Sequence, residues 1–262
     1  MFIKGYSGKI IYLRRINNLL MFIGINLKKT FSLVNFLRFV LEVFEFKRQG
    51  GKIRNYQPII DEYNLESGSI RNQLFHADLL TSQFIFKRNP LNHLDIGSRI
   101  DGLVAQVASF RSLDVIDIRS LDIRPHKNIN FIKKDILSFN IFDQKKKYDS
   151  ISSIGCLSHI GLGRYGDKIN VNGYILAIDK MCSLLKKKGF LYLMVPVGKD
   201  GVEFNSHRVF KPEDIIDNFK KNLVFCTEFH LIDDNGSLIL NYRYSRVGKY
   251  NFAGGLFVFK KN

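Results

Sequence analysis

The chain has 262 residues, 45% of them hydrophobic and 24% charged, with a formal net charge of +16. That length and apolar content allow one full α/β core with an addition at its N-terminal end, and they exclude a disordered chain or two large catalytic domains. Cys156, Cys182 and Cys226 are odd in number and far apart, which excludes a disulfide framework and a paired-cysteine metal knuckle and suits a reducing cytoplasm.

Residues 1–50 read as a basic, amphipathic helical extension, in which nine lysines and arginines between Lys4 and Arg48 face only Glu42 and Glu45. The apolar run 19–25 is too short to span a membrane, and 31–46 is interrupted by Arg38, Glu42 and Glu45, well below the ~20 apolar residues a span needs. No secretory signal is expected either, because Lys28-Lys29 stands where a small-residue cleavage site would follow the apolar run. Such a segment suits a helix lying on an anionic leaflet, and equally a lid over a substrate site. Gly50-Gly51 marks the boundary with a catalytic domain over 51–262.

The next element is a helix carrying His76 and Asp78, which point to different faces and so make no metal pair; no metal is expected. His93-Leu-Asp-Ile-Gly-Ser-Arg-Ile-Asp-Gly102 then reads as an apolar strand ending in Asp95 and Gly97 and running into a helix. A second acidic strand end follows at Asp117, where a ribose lies in nucleotide-binding α/β domains, and a third short strand leads to Asp135, placed to meet an adenine amino group. Residues 148–154 form a buried strand leading into His159, 174–185 a helix with apolar residues three and four apart, and Lys186–Gly189 its basic last turn with a glycine stop. A continuous apolar strand runs over 190–195, a helix starts at Lys211-Pro212, and 237–244 with 255–259 close the chain as an antiparallel edge pair. Strand and helix alternate as in a parallel sheet covered on both faces.

The glycine pattern discriminates between cofactors. A dinucleotide turn wants G-x-G-x-x-G, yet Arg99 stands at the middle glycine of Gly97-x-Arg99-x-x-Gly102. A side chain there crowds a pyrophosphate but can pair with the carboxylate of S-adenosylmethionine, so that cofactor is expected ahead of NAD. Arg119, near Asp117, keeps a thin case for a 2′-phosphate and NADP.

The order of these turns resembles the class I S-adenosylmethionine-dependent methyltransferases. More specifically, 93–102, Val115-Ile-Asp-Ile-Arg119, His159-Ile-Gly-Leu-Gly-Arg-Tyr-Gly-Asp167, Phe204-Asn-Ser-His-Arg208 and Phe75–Leu79 resemble the bacterial family called domain of unknown function 268. The resemblance implies a Rossmann-like α/β fold with a mostly parallel seven-stranded sheet and an antiparallel C-terminal edge strand. It also implies an association with surface-polysaccharide functions, without a settled reaction or an assigned catalytic residue. The chain departs from ordinary methyltransferases at Arg99 and Asp101, where they carry glycines.

The candidate cofactor residues are therefore Asp95, Gly97, Arg99, Asp117 and Asp135. Methyl transfer is an in-line displacement, so a hydroxyl acceptor benefits from a base; His159 and His207 are the candidates, each with the alternative of packing or capping a turn. Arg164, Asp167 and Arg208 are candidates for the substrate, and Glu203 for a sugar hydroxyl, each equally readable as a solvated surface residue. The leading expectation is a cytoplasmic sugar O-methyltransferase acting on a surface glycan or glycolipid at the inner membrane face. The alternatives are an RNA methyltransferase, disfavoured because no Asn-Pro-Pro-Tyr-like tetrapeptide follows 148–154, and a degenerate fold that binds a nucleotide-sugar or scaffolds glycan assembly.

Overall fold

The computed structural model describes residues 20–25, 32–63, 65, 67, 68, 70, 72–138 and 146–262. Expectations that rest on the basic residues before 20, on Lys28-Lys29 and on Lys145 lie outside the described residues. The chain divides into two compact units, 1–69 and 70–262, a division that falls after the Gly50-Gly51 step.

In the first unit a helix, α1 (Phe36–Arg48), buries none of its residues. Arg38 pairs with Glu42 one turn on at 2.8 Å and lies 4.0 Å over the Tyr63 ring, while Asn35 Nδ2 donates to the Ile60 carbonyl at 2.9 Å. No helix among the described residues is long and apolar enough to cross a membrane.

The second unit opens with α2 (Gln73–Arg88). The Asn72 side chain caps its first turn, and left-handed Asn89 ends it just before Pro90. Strands β1 (His93–Ile96), β2 (Leu113–Asp117), β3 (Ile129–Lys133), β4 (Tyr148–Ile154) and β5 (Leu185–Val197) pair in parallel in the order β3-β2-β1-β4-β5. Both β1 and β2 are buried at every position, which is why they read as apolar runs without alternation. A π-helical turn (Ile100–Val104) and α3 (Ala105–Ala108) return from β1, and α4 (Gly173–Leu184) returns from β4. A small hairpin of β6 (Gly201–Glu203) and β7 (His207–Val209), then α5 (Pro212–Lys220), lead to β8 (Val224–Ile232), β9 (Leu238–Ile239) and β10 (Ala253–Lys261).

This is the expected α/β class, with three differences. The sheet has eight strands, the last being two-residue β9. The C-terminal strand β10 is antiparallel, as expected, but it is wedged between β5 and β8 and not at the edge. Its partner is β8, absent from the sequence reading, whereas Tyr244–Lys249 is a 3-10 turn. Finally, α4 stops at Leu184, and Lys186–Gly189 already belongs to β5; the left-handed residue of that bend is Lys188 (φ 62°), not Gly189.

A core under β5 and β10 is rich in phenylalanine. Phe259 stacks on Phe219 at 4.1 Å between centroids, and all three of Phe219, Phe257 and Phe259 are fully buried. Phe259→Ala is expected to lower the unfolding free energy by about 3–5 kcal/mol in a denaturant titration, because a ring-sized void opens where the β sheet and α5 meet.

Candidate cofactor and active site

Beneath the first turn lies a buried polar ladder. The Asp95 carboxylate, wholly inaccessible, accepts from Ser98 N–H (3.0 Å), Ser98 Oγ (2.7 Å) and Ser152 Oγ (2.5 Å). Ser98 Oγ in turn accepts from Ile154 N–H at 2.9 Å, tying the turn after β1 to the end of β4. Burial pushes the Asp95 carboxyl up to about 6, against the pull of these donors. Asp95 therefore shapes the turn from below and does not line the cavity, a correction to its placement among residues that touch a cofactor.

Above it, Gly97 has φ +69°, and a Cβ there would stand 2.3 Å from Cys156 Sγ. Gly102 is required for another reason: a Cβ would meet Asp78 Oδ2 at 2.5 Å. Asp78 is buried against this turn, and burial first, then the Asp95 carboxylate, pushes it up to about 7. The sequence reading gives Asp78 no role beyond excluding a metal pair with His76; the signal that could have found it is a carboxylate on the buried face of a helix.

The turns after β1, β2, β3 and β4 enclose one cavity of about 580 Å³ at the carboxyl edge of the sheet. Gly97, Arg99, Asp117, Asp135, His159, Arg164 and Asp167 all line it. Asp117 is buried and gripped by Arg119, whose backbone N–H, Nε and Nη2 reach it at 2.8, 2.9 and 2.5 Å. Asp135 uses one oxygen to cap the next turn at Leu137 N–H (2.9 Å) and lines the cavity beside Ile118 and Ile136. Arg99 is paired with Asp101 at 2.7 Å, both half-exposed or more, a contact weak enough to exchange for a ligand carboxylate.

His159 is the only histidine on the cavity wall among the described residues. Its Nδ1 lies 2.6 Å from the Ser206 carbonyl, so Nδ1 carries the proton and Nε2 keeps its lone pair. Burial lowers its pKa to about 4, with the Arg164 guanidinium adding to the effect, so the ring is neutral at ordinary pH. Arg164 Nη1 donates to the same Ser206 carbonyl at 2.8 Å.

Four further candidates are corrected. His207 lies off the cavity, with Nδ1 2.8 Å from Ser206 Oγ and its ring 4.8 Å from that of Phe252, because β7 turns it toward the sheet. Arg208 is buried and donates to the Ile160 carbonyl at 2.6 Å, so its charge is spent holding the His159 loop. Asp167 lines the cavity, but one oxygen accepts from Gly161 N–H (2.6 Å) and Gly163 N–H (3.3 Å), which makes it the staple of the same loop. Glu203 is exposed, 3.8 Å from His207, and away from the cavity. No group of side chains among the described residues is arranged to hold a metal.

Two measurements test this geometry. Gly97→Ala should destabilise by about 1–3 kcal/mol from backbone strain alone, with more from the contact, and pairing it with Cys156→Ala should recover only the second part in a denaturant titration. Asp78 is protonated in the folded state up to about pH 7 but ionises near 3.9 when unfolded. The folded chain thus holds an extra proton in between, and stability falls as pH rises from about 4 through 7. Unfolding at pH 5 and pH 8 should show this loss in the native chain and a smaller one in Asp78→Asn.

Residues 106–216 match the family described as "Caenorhabditis protein of unknown function, DUF268". No curated protein matches the sequence. The N-methyltransferase NodS from Bradyrhizobium japonicum WM9, solved with S-adenosyl-l-homocysteine, is similar in fold at 16% identity and TM-score 0.51, over 76% of this chain and 91% of that one. The 1,6-didemethyltoxoflavin-N1-methyltransferase of Burkholderia thailandensis, solved with its substrate and S-adenosylhomocysteine, is similar at 13% identity and TM-score 0.50, over 72% and 79%. The [4+2]-cyclase SpnF is similar at 13% identity and TM-score 0.50, over 88% and 95%. Residues 106–216 thus match the DUF268 model, and the unit that contains them shares the α/β fold of these methyltransferase structures.

Proposed function

We propose that the chain is an S-adenosylmethionine-dependent methyltransferase whose acceptor is a sugar hydroxyl of a surface polysaccharide or glycolipid precursor. The observation that carries the transferase part is the single cavity that joins the Gly97 turn, Asp117, Asp135 and His159 at the carboxyl edge of the sheet. Its volume suits a ligand of that size, and its lining sets Arg99, Arg119, Lys134 and Arg164 against Asp101, Asp117, Asp135 and Asp167, so that it offers partners both for a carboxylate and for cationic groups. The solved relatives with S-adenosylhomocysteine support the same cofactor. The sugar acceptor rests on the resemblance to a family associated with surface polysaccharides, and an RNA acceptor is the weaker reading because the lining has no cationic excess for phosphates.

Asp117 would accept from the ribose hydroxyls, Asp135 from the adenine amine, and Arg99 would pair with the carboxylate. When bound, S-adenosylmethionine supplies a methyl group on a positively charged sulfur. The acceptor oxygen becomes strongly acidic only as its bond to carbon forms. A neutral imidazole with a pKa of about 4 is then base enough to take the proton, and Nδ1–H donating to Ser206 holds Nε2 ready for it.

One observation favours a different reading. Both Asp117 oxygens are occupied by Arg119, so a ribose must displace that guanidinium, and a fold that failed to do so would bind another ligand or none. Calorimetric titration with S-adenosylhomocysteine separates the two. Asp117→Ala should weaken binding about ten- to a hundredfold through loss of hydrogen bonds to a charged group, and Arg119→Ala should tighten it; absence of heat from the native chain at millimolar ligand overturns the transferase reading. His159→Ala should leave that affinity unchanged while glycan from cells carrying only this variant lacks one methyl group.

A further inference from the structure

The edge of the sheet opposite the cavity, where the parallel strands begin, carries an excess of positive charge. Lys147 stands before β4, Lys187 and Lys188 in the bend of β5, and Lys260 and Lys261 at the end of antiparallel β10, which runs back to that edge. Lys147 and Lys187 lie close enough to Lys261 to lower its pKa by repulsion, although burial lowers it first. Three acids near this edge are paired with other cations: Asp114 with Lys146 at 2.6 Å, Asp149 with Lys186 at 2.9 Å, and Glu228 with Arg88 at 2.8 Å; Asp179, which with Lys261 flanks Cys182, accepts from Asn222 at 2.8 Å. The five lysines form no ion pair with a carboxylate among the described residues.

Apolar side chains stand exposed on the same edge. Leu91, in the turn before β1, is 91% exposed, and its neighbour Asn92 is hydrogen-bonded both ways to Asp149, beside Lys186. Phe86, at the end of α2, is 67% exposed and meets Phe110, at the end of α3, edge to face at 5.3 Å. Lysines flanking a few exposed phenylalanine and leucine side chains match the chemistry of an anionic bilayer surface, where charge meets the headgroups and the apolar groups enter the boundary beneath them.

We infer that this amino edge of the sheet docks on an anionic phospholipid surface, holding the cavity on the side turned away from the bilayer. The contact is made by the 70–262 unit itself, apart from any contribution of residues 1–50. A docked molecule would take its acceptor from the aqueous side, which narrows the acceptor proposed above to a water-soluble sugar precursor and leaves out a lipid-linked one.

The chain has no tryptophan, so Leu91→Trp places a single reporter in the proposed contact without disturbing the core. The full chain carrying it should shift its emission to the blue with vesicles of phosphatidylcholine and 30% phosphatidylglycerol, and not with phosphatidylcholine alone. Replacing Lys147, Lys187 and Lys188 together by Gln should weaken co-sedimentation with the anionic vesicles roughly a hundredfold, at about fivefold per charge, while circular dichroism and thermal unfolding stay unchanged. Emission that does not move, or a triple variant that sediments like the native chain, overturns the proposal. Tighter binding of the native chain to single-stranded RNA than to the vesicles, lost in the same triple variant, overturns it in favour of a nucleic-acid surface.

Discussion

The carboxylate of Asp95 is the constraint on which the cavity depends. It sits in the centre of the sheet without access to water, a position that costs several kcal/mol unless its oxygens are well satisfied. Ser98 and Ser152 satisfy it, and the polar ladder continues beyond them. Ser152 Oγ donates to Asp95 and so accepts from His93 Nε2 at 3.0 Å, which leaves His93 Nδ1 to accept from Ser150 Oγ at 2.9 Å. Each member has one role forced by its neighbour, and burial holds His93 neutral, with its pKa lowered to about 3. Because β1 pairs His93 with Ser150 and Asp95 with Ser152, a slip of one residue would bury both polar side chains without partners. The ladder therefore sets the register of β1 on β4, and with it the position of the turn that carries Gly97.

A second group of polar residues builds the wall facing that turn. The loop from His159 to Asp167 has no regular structure after its short 3-10 turn, so its backbone groups need other partners. Asp167 supplies acceptors for three amides, those of Gly161, Gly163 and Tyr165, and Arg208 supplies a donor for the Ile160 carbonyl. The Ser206 carbonyl, on the neighbouring hairpin, takes both His159 and Arg164. Charged side chains that look like substrate ligands in the chain are here the framework that holds an imidazole at a fixed place. Of the candidate side chains on the cavity wall, those not spent on this framework are Arg99, Asp117, Asp135 and the Nε2 face of His159.

That division explains which residues could be read from the chain and which could not. Turn positions were legible because the strand ends of a parallel sheet fall at one edge, so an acid after an apolar run locates itself, as at Asp117 and Asp135. The use of a side chain was not legible, because Asp167 or Arg208 spends its charge on backbone groups brought near by a loop, which leaves no periodic trace. Strand β8 escaped for a related reason: Val224–Ile232 mixes Cys226, Thr227, Glu228 and His230 into an apolar run, and its burial is one-sided only over part of its length. Leu185–Gly189 read as a helix end because Lys-Lys-Lys-Gly is good helix-stop chemistry. It is a strand because Gly189 must lie against the Asp149 and Lys186 carbonyls, each 2.9 Å from where a Cβ would be.

The fold itself does not choose the reaction, since a [4+2]-cyclase is as similar as an N-methyltransferase. The choice has to come from charge and its placement. A net charge of +16 invites a polyanionic substrate, yet the cavity lining is balanced residue for residue, with Arg99 on Asp101 and Arg119 on Asp117. The excess sits elsewhere, in part on the far edge of the sheet, where five lysines form no ion pair with a carboxylate among the described residues. Charge that lies a sheet's width from the cavity cannot select an acceptor, since screening leaves little of it beyond about 8–10 Å in physiological salt. Discrimination among ligands therefore falls to the cavity's own lining, where His159 stands as a neutral imidazole.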